Sequence, residues 1–313
     1  MNSPSYIFTS RPSITAPESL TGVGVAFVGG SVDDRGAATI DVLKKVSATL
    51  SSFRFDPNNQ KIYLNEHEIN RERLVAHMSN ISRILLDVTT LGLGEVLHIL
   101  MAARHGGHQS VEFLYAEPGE YTNDFGKSAD DPQRREFKLT KNCCFQSVLG
   151  FAHEHQSNMK AAHVFFLGFE PGRIRNAFEQ RDDLDPQRYR IQVVLGVPAF
   201  QAGWESNSIR PHLHILNEQN ISEHSISYCQ ANSIRENYLT LWDLYRQLGD
   251  ERGCFYVSPL GTKPQAVGAA LFLLETKGND YTTSLFYDHP ERVNNRSSAI
   301  AAWHHVTVQL GCV

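Results

Sequence analysis

The sequence predicts an α/β protein made of two Rossmann-like halves, each with a mostly parallel sheet covered by helices. Short apolar runs, typical of buried strands, repeatedly end in a Gly, Pro or Thr turn that precedes a segment with helical spacing of apolar residues. The chain has 313 residues, enough for two domains, and its 41% hydrophobic and 20% charged fractions are those of a globular protein. Strands that alternate with helices favour parallel sheets.

The first half is predicted to span residues 1–145 and the second half residues 146–313. The boundary follows a polar, Pro- and Gly-containing stretch, Glu117–Asn142, which has the composition of a linker or a return hairpin. Helices are predicted at Ala37–Leu50, at Glu68–Ile81 and from Glu95 onward. The predicted strands are Val23–Val28, Arg83–Val88, Val111–Ala116, His163–Leu167, Arg190–Leu195 and Cys254–Val257.

Charge and composition exclude several classes of function. The net charge of −5 disfavours a dedicated nucleic-acid binder, because basic residues supply most of the affinity for phosphates. The five cysteines are odd in number and lack CxxC spacing, which indicates free thiols in a reducing compartment. The N-terminus is polar, and no apolar run approaches the roughly 18 residues of a membrane span. We therefore expect a cytoplasmic protein without membrane contact.

The most specific motif lies where the strand Cys254–Val257 ends. Ser258 and Thr262 offer hydroxyl donors, Gly261 allows close approach of the backbone, and Lys263 adds a cation. A helix is expected to start at Pro264, and the free N–H groups of its first turn favour an anion. The motif predicts a phosphate or nucleotide site. In the alternative, Thr262 only caps the helix and Lys263 is solvated.

This turn resembles the Gly-Thr-Lys turn of the CRISPR-associated Rossmann-fold sensors, which bind cyclic oligoadenylate at the end of a strand in a dimer. The resemblance covers residues 258–264 and, loosely, the two-lobed strand order. Family members usually carry Thr-Gly-Gly-Thr-Lys, whereas this chain carries Ser-Pro-Leu-Gly-Thr-Lys at residues 258–263. The resemblance implies a nucleotide-recognising domain that acts as a homodimer.

A second strand-turn-helix segment spans Asp87–Glu95. The paired hydroxyls of Thr89 and Thr90 can donate to a phosphate or a ribose. Glu95 resembles the acidic residue that nucleoside deoxyribosyltransferase-like and TIR-like enzymes use on a ribose, where a carboxylate stabilises an oxocarbenium-like centre. In the alternative, Thr90 is a helix N-cap and Glu95 complements the helix dipole.

A third such segment spans Phe166–Arg173. Gly168 opens the turn, Arg173 could fork onto a phosphate, and Glu170 could accept a hydrogen bond from a sugar hydroxyl. The two charged residues could equally pair with each other or with solvent.

No cofactor and no metal is expected. The glycines that follow the first strand do not form a full G-x-G-x-x-G fingerprint. The two His-x-His sequences, at residues 153–155 and 212–214, do not match H-E-x-x-H, and we expect structural roles for them.

These patterns favour a sensor that binds a nucleotide or a nucleotide-derived signal, with stress or antiviral defence as its setting. The alternative is an N-glycosidic enzyme of nucleosides or NAD-like substrates that uses Glu95. In a third possibility the chain is an interaction protein whose turns are purely structural. Fold class alone does not separate these functions.

Overall fold

The computed structural model describes residues 4–17, 20–122, 137–153, 160–180, 189–247, 252–278 and 282–311. The strands are β1 Ile7–Ser13, β2 Val23–Val28, β3 Ser47–Asp56, β4 Lys61–Leu64, β5 His67–Ile69, β6 Ile84–Asp87, β7 Ser110–Tyr121, β8 Thr140–Asn142, β9 Lys160–Leu167, β10 Tyr189–Gly196, β11 Ile226–Cys229, β12 Arg252–Pro259, β13 Thr283–Leu285, β14 Glu291–Arg292 and β15 Ser297–Gln309. The helices are α1 Asp34–Val46, α2 Arg71–Met78, α3 Leu93–His105, α4 Pro171–Glu179, α5 Glu205–Glu218, α6 Ile234–Gln247 and α7 Lys263–Gly278.

The chain forms two compact units, and the first is built from both ends of the sequence. It comprises Met1–Thr122 and Asn294–Val313, and the second comprises Asn123–Val293. The last strand, β15, returns to the first unit and pairs antiparallel with both β7 and β1. This division differs from the expected halves, 1–145 and 146–313, because a pairing between strands so far apart in sequence leaves no local signal.

The first unit has an eight-stranded sheet with a parallel centre. Its order is β1-β15-β7-β6-β2-β3-β4-β5. The four strands β7, β6, β2 and β3 are parallel, and the outer pairings are antiparallel. Three of the predicted strands correspond to β2, β6 and β7.

Two predicted helices of the first unit are too long. The helix expected at Glu68–Ile81 is α2, Arg71–Met78, because Glu68 belongs to β5. Helix α1 ends at Val46, whereas the sequence predicted a helix to Leu50, because Ser47 already begins β3. The register pairs Leu50 with Ala26 of β2, and the side chains of Phe53 and Phe55 are buried further along the strand. Sheet pairing therefore outweighs the helical spacing of the apolar residues in this segment.

The second unit has a five-stranded sheet in which every pairing is parallel. Its order, β11-β10-β9-β12-β13, corresponds to 3-2-1-4-5 in order of appearance, which is Rossmann-like. The other three predicted strands correspond to β9, β10 and β12. The predicted α/β class with mostly parallel sheets is therefore confirmed. The strand order reverses between β9 and β12, and ligands of such sheets bind at that point, outside the carboxyl ends of the strands.

Candidate ligand-binding site

A cavity of about 420 Å³ opens in the second unit beside the first turn of α4. This volume lies within the range of small-molecule sites in proteins, roughly 300–1,000 Å³. Its lining includes Phe137, Lys141, Phe169, Glu170, Arg175 and Asn176. The third motif of the sequence, residues 166–173, therefore contributes directly to this cavity.

The backbone at the start of α4 faces the opening. Strand β9 ends at Leu167, and Pro171 begins the helix, because its fixed φ suits the first helical position. Pro171 has no N–H group, and the side chain of Glu170 makes no capping hydrogen bond. A Cβ atom built on Gly172 would meet no atom within 4 Å, so open space borders the backbone there. The helix N-terminus can therefore donate to an anion.

Glu170 orders one wall of the cavity. Its Oε1 accepts hydrogen bonds from the backbone N–H groups of Leu139 (2.8 Å) and Thr140 (2.9 Å), and its Oε2 accepts one from the Thr140 hydroxyl (2.8 Å). From the sequence, a sugar hydroxyl, Arg173 and solvent were equal candidates for the partner of this carboxylate. In the structure it is used instead to hold residues 139–140, at the start of β8, against the turn.

Arg173 is buried, and its guanidinium makes a bidentate pair with a carboxylate of the protein. Its Nε and one terminal nitrogen donate to the two carboxylate oxygens of Asp288, each at 2.6 Å. The other terminal nitrogen donates to the backbone oxygen of Leu260. Burial acts to lower the pKa of Arg173, but the charge and hydrogen bonds of Asp288 outweigh it and hold the pKa above its usual value. The partner of Arg173 is therefore Asp288, and not Glu170 or a phosphate as the sequence suggested. The guanidinium joins the turns that follow β9 and β12.

The remaining charges leave the cavity with an excess of cations. Lys141 is half-exposed, 3.7 Å from a carboxylate oxygen of Glu291. Arg175 is exposed, and in the part of the chain that the structure describes it forms no ion pair or hydrogen bond. The rings of Phe137 and Phe169 pack with centroids 4.9 Å apart. The arrangement can hold an anion together with a flat apolar group.

The hydroxyl of Ser258, at the start of the Gly-Thr-Lys turn, is buried inside the protein. Ser258 is fully buried on β12, where its hydroxyl donates to the backbone oxygen of Phe286 (2.7 Å) and lies 2.7 Å from Nε2 of His163. A phosphate contact was predicted for this hydroxyl. Its two partners inside the sheet occupy it instead.

Thr262 and Gln265 form a capping box at the start of α7. The backbone N–H of Thr262 donates to Oε1 of Gln265 (2.8 Å), and the Gln265 N–H approaches the Thr262 hydroxyl at 3.4 Å. Helix α7 begins at Lys263, which is half-buried, and not at Pro264 as predicted. A Cβ atom on Gly261 would lie 1.9 Å from Oε1 of Gln265, so this box requires glycine. The cap considered as an alternative for Thr262 is therefore present.

The structure brings the turns after β9 and β12 together. A Cβ atom on Gly168 would lie 3.1 Å from the backbone oxygen of Leu260 and 3.3 Å from Cα of Gly261, so the two turns are in close contact at the reversal of strand order. The sequence motifs at 166–173 and 258–264 thus form one edge of the second unit.

Thr89, Thr90 and Glu95 belong to the first unit and have structural partners there. The Thr89 hydroxyl accepts from the Ala116 N–H (3.0 Å), and the Thr90 hydroxyl donates to the carboxylate of Asp87 (2.7 Å). Oε1 of Glu95 accepts from the backbone N–H of Phe55 (3.0 Å) and so ties α3 to β3. The N-cap of α3 is Gly92, so the cap proposed for Thr90 is corrected.

Neither a metal centre nor a membrane-spanning helix is found in the described segments of the chain. Those segments contain no cluster of three or more His, Cys, Asp or Glu side chains that could hold a metal ion. Nor does any helix in them combine the length and the apolar character that a membrane crossing requires. His212 and His214 lie on α5. Burial lowers the pKa of His212 to about 4, and its Nδ1 contacts the backbone oxygen of Ser208 at 2.6 Å.

Comparisons with known proteins assign no family. No family model matches the chain, and no curated protein matches it significantly. Among solved structures, a periplasmic ribose ABC transporter from Conexibacter woesei is similar at 10% identity, over 83% of this chain and 70% of that chain, with a TM-score of 0.22. A TM-score this low carries no argument about function.

Two residues of this edge were missed as partners by the sequence analysis. Neither Asp288 nor Gln265 was predicted to take part in this edge. The spacing Thr-x-x-Gln at residues 262–265 is a capping signal that could have revealed the second. No local signal links Asp288 to Arg173, which lies 115 residues earlier.

Proposed function

We propose that the second unit binds a nucleotide or a nucleotide-derived anion in the cavity beside α4. The observation that carries this proposal is the convergence of Arg175, Lys141 and the aromatic pair Phe137–Phe169 at the first turn of that helix. Phosphate oxygens would bind Arg175 and the N–H of Gly172, while the base would pack on Phe169.

The electrostatics of the lining support an anionic ligand. The fixed charges that line the cavity are Lys141, Arg173, Arg175 and Glu170. Asp288 neutralises Arg173, so Arg175 and the partly screened Lys141 provide the charge available to a ligand. An exposed guanidinium with two parallel N–H donors suits a phosphate.

The lining also favours binding over turnover. N-glycosidic chemistry requires a carboxylate placed at the sugar. Among the described lining residues the carboxylate is Glu170, and both of its oxygens accept hydrogen bonds from residues 139–140. We therefore propose a sensor and not an N-glycosidic enzyme. A homodimer, as the resemblance to the CRISPR-associated sensors implies, is part of the same proposal.

The first test removes the charge that carries the proposal. Arg175→Ala should weaken nucleotide binding about tenfold, the typical effect of losing one charge-assisted hydrogen bond. Thermal-shift and calorimetric titrations with mono-, di- and cyclic nucleotides would measure it. The matched control is Arg235→Ala, an exposed arginine on α6 that does not line the cavity. No response of the unmodified protein to any nucleotide would refute the proposal.

A second variant locates the phosphate. If the phosphate binds at the Gly-Thr-Lys turn, Lys263→Ala should weaken binding by about 1–3 kcal/mol, whereas Arg175→Ala should have little effect. If it binds beside α4, the order of the two effects is reversed. We expect the second result, because Thr262 and Gln265 already cap the N-terminus of α7.

A further inference from the structure

The first unit contains a largely buried arginine, Arg296, whose Nε has no hydrogen-bond partner among the described residues. Arg296 precedes β15 and is 7% exposed. Its Nε has no hydrogen-bond partner, and within the described residues its side chain has one ion-pair contact, to a carboxylate oxygen of Asp33 at 3.9 Å. An N–H donor that is left unpaired inside a protein is costly, and the Nε–H of Arg296 is such a donor.

Asp33 does not complete the coordination of Arg296, because other groups already bind it. Its carboxylate accepts from Arg35 (2.8 Å), from the hydroxyl of Ser297 and from the N–H of Gly36 (3.1 Å). Burial acts to raise the pKa of Asp33, but Arg35, Ser297 and Gly36 outweigh it and hold the pKa below its usual value. The charges of Asp33 and Arg35 therefore compensate each other.

The neighbouring acids are also bound elsewhere. Asp34, on the first turn of α1, accepts from the backbone N–H of Ala299 at 3.0 Å. Glu117 binds Nε2 of His304 at 2.8 Å. Neither forms an ion pair with Arg296 within the described residues. Each of the three nitrogens of Arg35 donates one hydrogen bond, to Ser297, to the backbone oxygen of Ala116 and to Asp33.

Arg296 lies near the carboxyl ends of the parallel strands, which is where such sheets bind ligands. The strand order β3-β2-β6-β7 reverses at β2 and β6, and the loop after β2 leads into the 13-residue helix α1 with Asp33 as its N-cap. The N–H of Asn295 donates to the backbone oxygen of Val32 at 2.6 Å, which holds Arg296 beside that N-terminus. The preceding residue, Asn295, is exposed.

We propose that the first unit has its own binding site for an oxyanion, a phosphate or carboxylate group, which Arg296 binds at the N-terminus of α1. Paired oxygens match the fork of a guanidinium. This site is additional to the cavity beside α4 and uses none of its residues.

The test compares thermal unfolding in phosphate, succinate and chloride at equal pH and ionic strength. The unmodified protein should unfold at least about 3 °C higher in phosphate or in succinate than in chloride, because a bound ligand stabilises the folded state. Arg296→Gln should lose this shift. Lys45→Gln, which changes an exposed cation of the same helix α1, should keep it. The anion that produces the shift identifies the group as phosphate or carboxylate.

The behaviour in chloride separates a ligand site from a structural role. If Arg296 serves the ligand, Arg296→Gln should be no less stable than the unmodified protein in chloride, because it removes the unpaired buried Nε–H donor. A loss of stability in chloride, an unchanged anion shift in Arg296→Gln, or no shift in the unmodified protein would each overturn the proposal. Arg175→Ala should retain the shift, which distinguishes this site from the cavity beside α4. If Arg296→Gln fails to fold, Arg296→Lys provides the same comparison, with a reduced shift expected.

Discussion

Asp288→Asn should lower the free energy of unfolding of the second unit by about 3–5 kcal/mol, the usual cost of leaving one member of a buried ion pair uncompensated. The substitution preserves shape but removes the charge opposite Arg173. Both side chains are at least nine-tenths buried, so water cannot replace the lost carboxylate. Urea denaturation followed by circular dichroism would measure the change. The matched control is Asp243→Asn, which breaks an exposed pair with Arg246 and should cost less than about 1 kcal/mol.

The double variant Arg173→Met/Asp288→Leu tests whether the uncompensated charge of Arg173 causes the loss of stability in Asp288→Asn. Replacing both charges with apolar groups should recover much of the loss, because no unpaired buried charge remains. The same variants also affect the ligand site, since Arg173 ties the turn after β9 to Leu260 and so supports the wall of the cavity. If Asp288→Asn alone lowers the free energy of unfolding by less than about 1 kcal/mol, the Arg173–Asp288 pair does not hold the turns after β9 and β12 together.

Protonation of Glu112 should lower the free energy of unfolding of the first unit by about 3 kcal/mol in acid, and Glu112→Gln should remove this part of the pH dependence. Burial acts to raise the pKa of Glu112, but hydrogen bonds from Arg83 and His305 outweigh it and lower the pKa to about 2. The carboxylate is 8% exposed, with oxygen–nitrogen distances of 2.8 Å to Arg83 and 2.7 Å to His305. The ordinary pKa of a glutamate is 4.5, so its stabilisation is complete above pH 4.5 and is lost as the pH falls towards 2.

The measurement is the free energy of unfolding of both proteins between pH 7 and pH 2. The difference between the unmodified protein and Glu112→Gln should be largest above pH 4.5 and should shrink as the pH falls to 2. Glu68→Gln, in the exposed pair with Lys61, should give a difference of at most about 1 kcal/mol at any pH. A constant difference for Glu112→Gln across this range would contradict the assigned pKa.

Sequence pattern alone determined the class of fold and the positions of most central elements. Six buried strands, among them Val23–Val28 and Cys254–Val257, were predicted from apolar runs that end in turn residues, and the structure has a strand at each. The turn at 168–173 was recognised as a candidate, and Glu170 and Arg173 do line the cavity. These features are local, because a run, a turn and a helix start are encoded within about ten residues.

The tertiary structure alone decided which groups remain available for a ligand. In the folded chain Ser258 is buried, Arg173 forms an ion pair with Asp288, and β15 pairs with the strands of the first unit. The tertiary structure also left Nε of Arg296 without a hydrogen-bond acceptor among the described residues beside α1, although no local sequence pattern marks this residue. The physical reason is that a polar group's partners are set by packing between segments far apart in the chain, whereas sequence periodicity specifies only the face on which the group lies.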